Sequence, residues 1–296
     1  MLRLAPAAAI GTVAALLCAL AWAVLDVLRK QLVARIDPLP LLVALTVGQL
    51  PVLAIWAAVA GEWTIAAGYW PWAAASIALN IAANVMYLVA VGRGPFSVAI
   101  PLLSFVPVFA TLLAVPLLAQ LPTPRQWIGI AAVVLGAMLL HGGGGRLRAL
   151  GSALFRDPSA RMMLLVALGW SGTIVVDRRA IEHASLPVHA LLLDVGITIG
   201  VLAWLGVRGR LGQLGQLRRA PLRLAVAATV AGLALALQLR AMQDVLIAVL
   251  EAIKRSTGVA AAVVLGKLVF AEPVTATKLL ACALMAAGTI LVVGLG

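Results

Sequence analysis

Charge is scarce in this sequence: 11% of its 296 residues are charged, and only ten are Asp or Glu. A soluble chain has about 25% charged and about 45–50% apolar residues, whereas here the apolar share is 64%. Two soluble domains of this composition would lack the polar residues to cover them, which excludes a water-soluble globular fold. The apolar runs do not alternate with polar residues, so the strand period of a membrane β-barrel is missing too. Cysteine is nearly absent: Cys18 and Cys282 each lie inside an apolar run, where they read as small buried hydrophobes rather than a disulfide framework or a metal site. No Gly-x-Ser-x-Gly or phosphate-binding loop occurs. The histidines His141, His183 and His189 show no metal-ligand spacing. No cofactor or metal is expected, the chain does not read as an enzyme, and ATP-driven pumping has no sequence support.

What is present is long apolar runs. Lipid demands that every backbone polar group be paired internally, and helices satisfy this. A helix needs about 20 apolar residues to cross the hydrocarbon core. On that criterion spans are predicted at 8–28, 39–60, 70–92, 95–118, 124–141, 161–181, 187–207, 221–241, 244–268 and 274–294. The opening Met1-Leu2-Arg3 resembles a signal peptide, but the further runs favour an uncleaved first helix. The predicted fold is an all-α integral membrane protein, with ten transmembrane helices arranged as two inverted five-helix repeats. Residues 1–145 form the first repeat and 161–296 the second. A flexible Gly/Arg-rich linker, 146–160, joins them within the longest connection, Gly142 to Ala160.

The repeat rests on landmarks that keep their order. Ala19-Leu20-Ala21-Trp22 matches Ala167-Leu168-Gly169-Trp170, and each is followed by a charged cluster. Thr123 to Gly136 and Thr275 to Gly288 are equally spaced near the ends of the two halves. With five spans in each half, the second half enters the membrane in the opposite sense, as in many secondary transporters.

The net charge of +12 comes mainly from arginines in short clusters between apolar runs, such as Arg146 and Arg148, or Arg208 and Arg210. These read as anchoring charges at the membrane surface rather than a nucleic-acid interface. Counting charges by connection places both termini outside.

Ionisable groups inside spans are the strongest functional signal, because each costs at least about 2.5–3.5 kcal/mol at the bilayer centre. Glu251, Lys254 and Arg255 fall on one turn of the ninth span, with Ser256 following. Glu251 can reach Lys254 at i+3 and Arg255 at i+4, leaving one cation for a substrate carboxylate or phosphate. The competing reading is a self-neutralised knot between helices. Asn80, Asn84 and Tyr87 share one face of the third span and either line a pore or bind a neighbouring helix. Trp22 and Trp170 are candidate aromatic walls. Asp194, alone in the seventh span, is expected to pair with Arg178 or Arg179; Glu251 and Asp194 are the candidate proton carriers. Trp56, Trp63, Trp70, Trp72 and Trp127 read as belt anchors. Pro101, Pro107 and Pro116 are expected to break the fourth span beside a cavity.

With these residues assembled, the chain resembles the drug/metabolite transporter superfamily in its EamA-type, ten-helix form. Phe270-Ala271-Glu272-Pro273-Val274-Thr275 is similar to the family's Glu-x-x-Thr opening of the last helix. Ala99 to Pro107 looks like its proline-bearing fourth helix, and Lys254-Arg255-Ser256-Thr257 resembles one subgroup. Gln120 departs from the pattern, standing where the first half would repeat the glutamate. The resemblance implies a basket of two bundles with helices 1, 3, 4, 6, 8 and 9 around a central cavity. It also implies alternating access without ATP and cytoplasmic termini, against the charge count. The function expected is secondary transport of a small polar metabolite, an anion among the candidates. A flippase-like carrier of an amphipathic or lipid-linked molecule, or a non-transporting scaffold, is the alternative. The expected partners are the small-molecule substrate and membrane lipid, with no nucleic acid and a monomer or homodimer as assembly. A bacterial cytoplasmic membrane is the expected location.

Overall fold

A computed structural model describes residues 6–93, 100–142, 158–270 and 275–293. The linker lies largely outside this range, as do Gly94 to Ala99 and Ala271 to Val274 with the glutamate of the Glu-x-x-Thr motif. The described residues are almost entirely helical. The α-helices are α1 (Pro6–Val33), α2 (Pro38–Ala60), α3 (Tyr69–Arg93), α4 (Val106–Leu118) and α5 (Pro124–Gly142) in the first half. In the second they are α6 (Pro158–Ala180), α7 (Leu186–Val207), α8 (Pro221–Asp244), α9 (Ile247–Phe270) and α10 (Ala276–Val293). Two 3-10 segments, Ile100–Phe105 and Leu211–Arg219, complete the set.

Among the described residues, six helices are long and apolar enough to cross a membrane: α1, α2, α3, α7, α8 and α10. Leu103–Leu118 and Pro124–Leu139 are shorter apolar stretches. Large apolar side chains stay exposed along these helices, among them Ile55, Leu112, Ile128 and Ile199, as expected where the solvent is lipid. The chain is a multi-pass membrane protein.

Helix starts follow the chemistry of proline, whose missing N–H is harmless in a first turn. α2, α4, α7 and α8 all carry proline at the first or second position. The prolines of the fourth span act this way in part. Pro101 lies in the 3-10 segment Ile100–Phe105, Pro107 falls in the first turn of α4, and Pro116 near its end. The span therefore changes from 3-10 to α at Phe105–Val106, and Ser171 of α6 donates to the Val106 carbonyl at this junction, 3.1 Å.

The principal packing pairs are α5 with α10, α1 with α8, α3 with α6, α2 with α7, α1 with α9, α2 with α8 and α4 with α6. Exchanging each helix for the one five places along leaves α5–α10 and α2–α7 in place and carries α1–α8 onto α3–α6 and α1–α9 onto α4–α6, while α2–α8 is carried onto the less extensive α3–α7 contact. The detail at the α5–α10 crossing obeys the same exchange. The shift that carries Thr123 onto Thr275 carries Gly136 onto Gly288 and Val133 onto Met285. Gly136 packs on Met285, and Gly288 packs on Val133. At the helix starts, Gln126 N–H donates to Thr123 Oγ1 and Lys278 N–H to Thr275 Oγ1, both at 3.3 Å.

Candidate functional site

α1 and α9 cross inside the bundle, and α8 and α3 flank them, so their polar side chains meet. The amide of Gln238 on α8 is the hub. Its Oε1 accepts from the indole Nε1 of Trp22 at 3.1 Å and from Lys254 Nζ at 2.8 Å. Lys254 also donates to Glu251 Oε1 at 2.6 Å, while Arg255 Nη2 stands 3.9 Å from Glu251 Oε2. The turn expected to hold three charges therefore does, and its engagement is unequal: Lys254 has two close acceptors, and Arg255 one distant one. Arg255 Nε and Glu251 Oε2 are buried without a hydrogen-bond partner.

A second charged pair, not anticipated, extends the cluster along α1. Arg29 is 6% exposed. Its guanidinium carbon lies 5.3 Å from the ring centre of Trp22 and 5.9 Å from that of Tyr87, and Lys254 Nζ lies 5.8 Å from Trp22. Cations over aromatic faces gain most when desolvated, so Trp22 and Tyr87 offset part of the cost of holding Arg29 inside. Its Nη1 is 3.7 Å from Asp26 Oδ1, which also accepts from Tyr87 Oη at 3.3 Å. The side chain of Asp26 is 45% exposed against 7% for Arg29, so its carboxylate faces an open space and the guanidinium does not. Arg29 Nε has no partner. Trp170 of α6 closes this side, its ring 4.9 Å from that of Tyr87 and tilted by 45°.

The sum of formal charges is three cations, Arg29, Lys254 and Arg255, against two carboxylates, Asp26 and Glu251. Two guanidinium N–H groups in the cluster have no acceptor. Buried donors in this state cost about 1–3 kcal/mol each, and an anion would satisfy them.

The remaining predicted residues are placed as follows. Asn80 donates to Ser76, and Asn84 to the Asn80 carbonyl at 2.9 Å, each within α3. Both side chains are half-buried, so they line the helix face that leads towards Tyr87. Ser256 faces away from the cluster: it bonds its own helix and accepts from Thr289 of α10 at 2.6 Å. Asp194 is 2% exposed on α7, and its Oδ2 has no partner. The expected pairing with Arg178 or Arg179 does not form. Arg178 reaches the Met242 carbonyl at 2.7 Å, and Arg179 reaches Glu182 at 2.8 Å. Helix ends offer carbonyls without intrahelical partners, and Arg178 is drawn to one at the end of α8.

A separate buried cluster was also not anticipated. His189 of α7 is fully buried, its Nδ1 3.1 Å from Tyr69 Oη and its Nε2 3.3 Å from Asp177 Oδ1. Ser76 donates to the same Asp177 oxygen and accepts from Asn80. Above it, the α2–α3 connection pairs with the α6–α7 turn through Ala66 N–H to His183 O, 2.7 Å, and Ser185 N–H to Thr64 O, 3.0 Å. Among the described residues, no group of three or more His, Cys, Asp and Glu side chains is arranged to hold a metal.

Helical spans around an internal charged cluster walled by tryptophans define a class: a multi-pass helical membrane protein with a polar interior site. Residues 9–142, the five helices of the first half, match the model of the EamA-like transporter family. This bears out the resemblance to EamA-type drug/metabolite transporters. A solved crystal structure 18% identical in sequence superposes with a TM-score of 0.72, over 95% of this chain and 95% of the other. At that identity the likeness is one of fold. No curated protein matches the sequence significantly.

Proposed function

We propose that this protein is a secondary transporter of a small anionic metabolite, bound between Trp22, Tyr87 and Trp170 and held by Arg29 and Arg255. The observation that carries this reading is the surplus cation with its unpaired donors. Three cations converge with two carboxylates, and the Nε groups of Arg29 and Arg255 are buried without acceptors. A structural knot would be expected to neutralise itself and pair its donors; a substrate site keeps donors for its ligand.

The repeat architecture supports the transport cycle. All ten helices cross the membrane in this reading, and the exchange of helix neighbours five places apart fits two five-helix repeats of opposite sense. In that architecture a midplane site is exposed alternately by rocking one repeat against the other. Trp22 and Trp170, at matching positions in the two halves, both border the cluster. Each repeat thus brings one tryptophan to the site.

The test is a thermal-shift screen of detergent-solubilised protein against small carboxylates and phosphates, with Arg29→Gln and Arg255→Gln alongside. A ligand at a hundredfold excess over its dissociation constant stabilises by about 2.7 kcal/mol. An anion that raises the melting temperature of the parent and of neither variant supports the proposal. If no anion shifts the parent, and the variants only melt earlier, the charged cluster is structural and the proposal fails.

A further inference from the structure

The connection between α7 and α8 lies outside the proposed transport site and has a chemistry of its own. The 3-10 segment Leu211–Arg219 rests across one end of α2 and α8. Together they enclose an apolar groove of about 370 Å³ lined by Val43, Ala44 and Val47 of α2, Leu214 and Leu217 of the segment, and Leu224 of α8. Its floor is tight: a Cβ on Gly48 would stand 2.5 Å from the Ala228 methyl. Val43 and Val47 lie roughly 7–14 Å past Pro38 at about 1.5 Å per residue, the depth at which acyl chains begin beneath headgroups.

The chain that borders the groove is basic. Arg208, Arg210, Arg218, Arg219 and Arg223 are all exposed. Arg218 and Arg219 directly follow Leu217, and Arg223 directly precedes Leu224, so charges stand one residue from side chains that line the groove. Between Asp194 and Asp244 the sequence contains no Asp or Glu. The acid that meets the segment is Asp37, whose N–H donates to Gln216 Oε1 at 2.9 Å and whose Oδ2 accepts from Gln216 Nε2 at 2.8 Å. Arg219 donates to the Arg35 carbonyl at 3.0 Å. These bonds fix the segment against the α1–α2 turn and leave Arg210, Arg218 and Arg223 to face outward.

We propose that this face binds one anionic phospholipid, with its phosphate and headgroup on Arg210, Arg218 and Arg223 and an acyl chain in the groove between α2 and α8. An apolar slot on the outer faces of two helices fits a hydrocarbon chain. Each basic side chain at the surface adds to the attraction for an anionic headgroup, so three of them distinguish an anionic lipid from a zwitterionic one. A soluble anion would use the arginines and leave the slot empty. The proposal rests on the membrane location and not on transport, so its failure and that of the transport reading are separable.

The experiment is native mass spectrometry of the detergent-solubilised protein titrated with palmitoyl-oleoyl phosphatidylglycerol or with the phosphatidylcholine of the same chains. Phosphatidylglycerol should bind about tenfold more tightly or better. The triple variant Arg210→Gln, Arg218→Gln, Arg223→Gln should bind both lipids alike. Ala44→Trp, which keeps every arginine and fills the slot, should weaken phosphatidylglycerol binding, and it keeps the test decisive if the triple variant folds poorly. Soluble glycerol phosphate should not compete. Equal binding of the two lipids by the parent would overturn the proposal. So would a preference that survives in a folded triple variant, an Ala44→Trp protein that binds as the parent does, or full competition by glycerol phosphate.

Discussion

Gly129 of α5 and Gly288 of α10 meet backbone to backbone: a Cβ on Gly129 would stand 2.6 Å from the Gly288 carbonyl oxygen, and one on Gly288 would stand 2.7 Å from that of Gly129. Neither contact yields by rotating a side chain, because the obstacle in each direction is main chain. The two helices can cross this closely only while both positions lack a side chain.

Alanine at either position therefore separates α5 from α10. The expected cost is about 1–3 kcal/mol for each of Gly129→Ala and Gly288→Ala, as for other overpacked sites. Gly206→Ala is the control, since nothing lies within 4 Å of its added carbon, and it should change stability by less than about 0.5 kcal/mol. Melting curves of the three variants in one detergent check this. Equal stability of all three would mean the crossing is looser than described.

Gln238 is placed to couple two parts of the site. It accepts from Trp22 and Lys254 together, so Gln238→Leu strips one acceptor from each while preserving bulk. The expected stability loss is about 1–3 kcal/mol, the range for a buried donor left unsatisfied. The functional effect should be larger than the stability effect, because Lys254 is then free to fold wholly onto Glu251. Ligand-induced thermal shifts and flux into proteoliposomes should both fall by tenfold or more in protein that still purifies as a monodisperse species.

The charged turn of α9 was legible because its three residues lie within one helical turn and interrupt an apolar run. Trp22 and Trp170 were legible through their matching sequence contexts. Arg29 was not, because the predicted first span, 8–28, ends one residue short of it. No proline or glycine stands between Trp22 and Asp37 to end the helix, and α1 continues to Val33, which carries Arg29 inside. Asp26 offered the missing signal: it lies in the same apolar run, at i+4 from Trp22 and i−3 from Arg29. Gln238 left no local trace, since its partner Trp22 is 216 positions away in the chain. Ser256 shared a turn with the site but points to Thr289. Adjacency in sequence set its turn, and the packing of α9 on α10 set its direction.

Arg29 is predicted to resist conservative replacement. A planar guanidinium can lie near the rings of Trp22 and Tyr87 and still present an N–H edge, whereas an ammonium is a compact, strongly hydrated point charge. Arg29→Lys should weaken binding of an anionic ligand by about tenfold, equivalent to about 1.4 kcal/mol, with little change in the unliganded melting temperature. Isothermal titration of parent and variant checks it. Unchanged affinity would remove Arg29 from the proposed binding site.

His189 and Asp177 lie side by side, buried, where α3, α6 and α7 meet, with His189 Nε2 3.3 Å from Asp177 Oδ1. The imidazole is fully buried and Asp177 is 2% exposed, and Tyr69 and Ser76 contact one partner each. Phenylalanine at position 189 fits the volume but leaves the Tyr69 hydroxyl without its partner and Asp177 with Ser76 alone. A buried polar group left without its partner costs about 1–3 kcal/mol, so His189→Phe should destabilise the protein by about that much. Asp177→Asn in the same chain removes the orphaned charge. The double variant should therefore be more stable than the sum of the single losses, with a coupling of at least about 1 kcal/mol. A double-mutant cycle on chemical denaturation in mixed micelles measures that coupling. Strict additivity would show that the two side chains are neighbours without being partners. The short bridge between the Thr64–Ala66 connection and the His183–Ser185 turn would then be what holds this corner together.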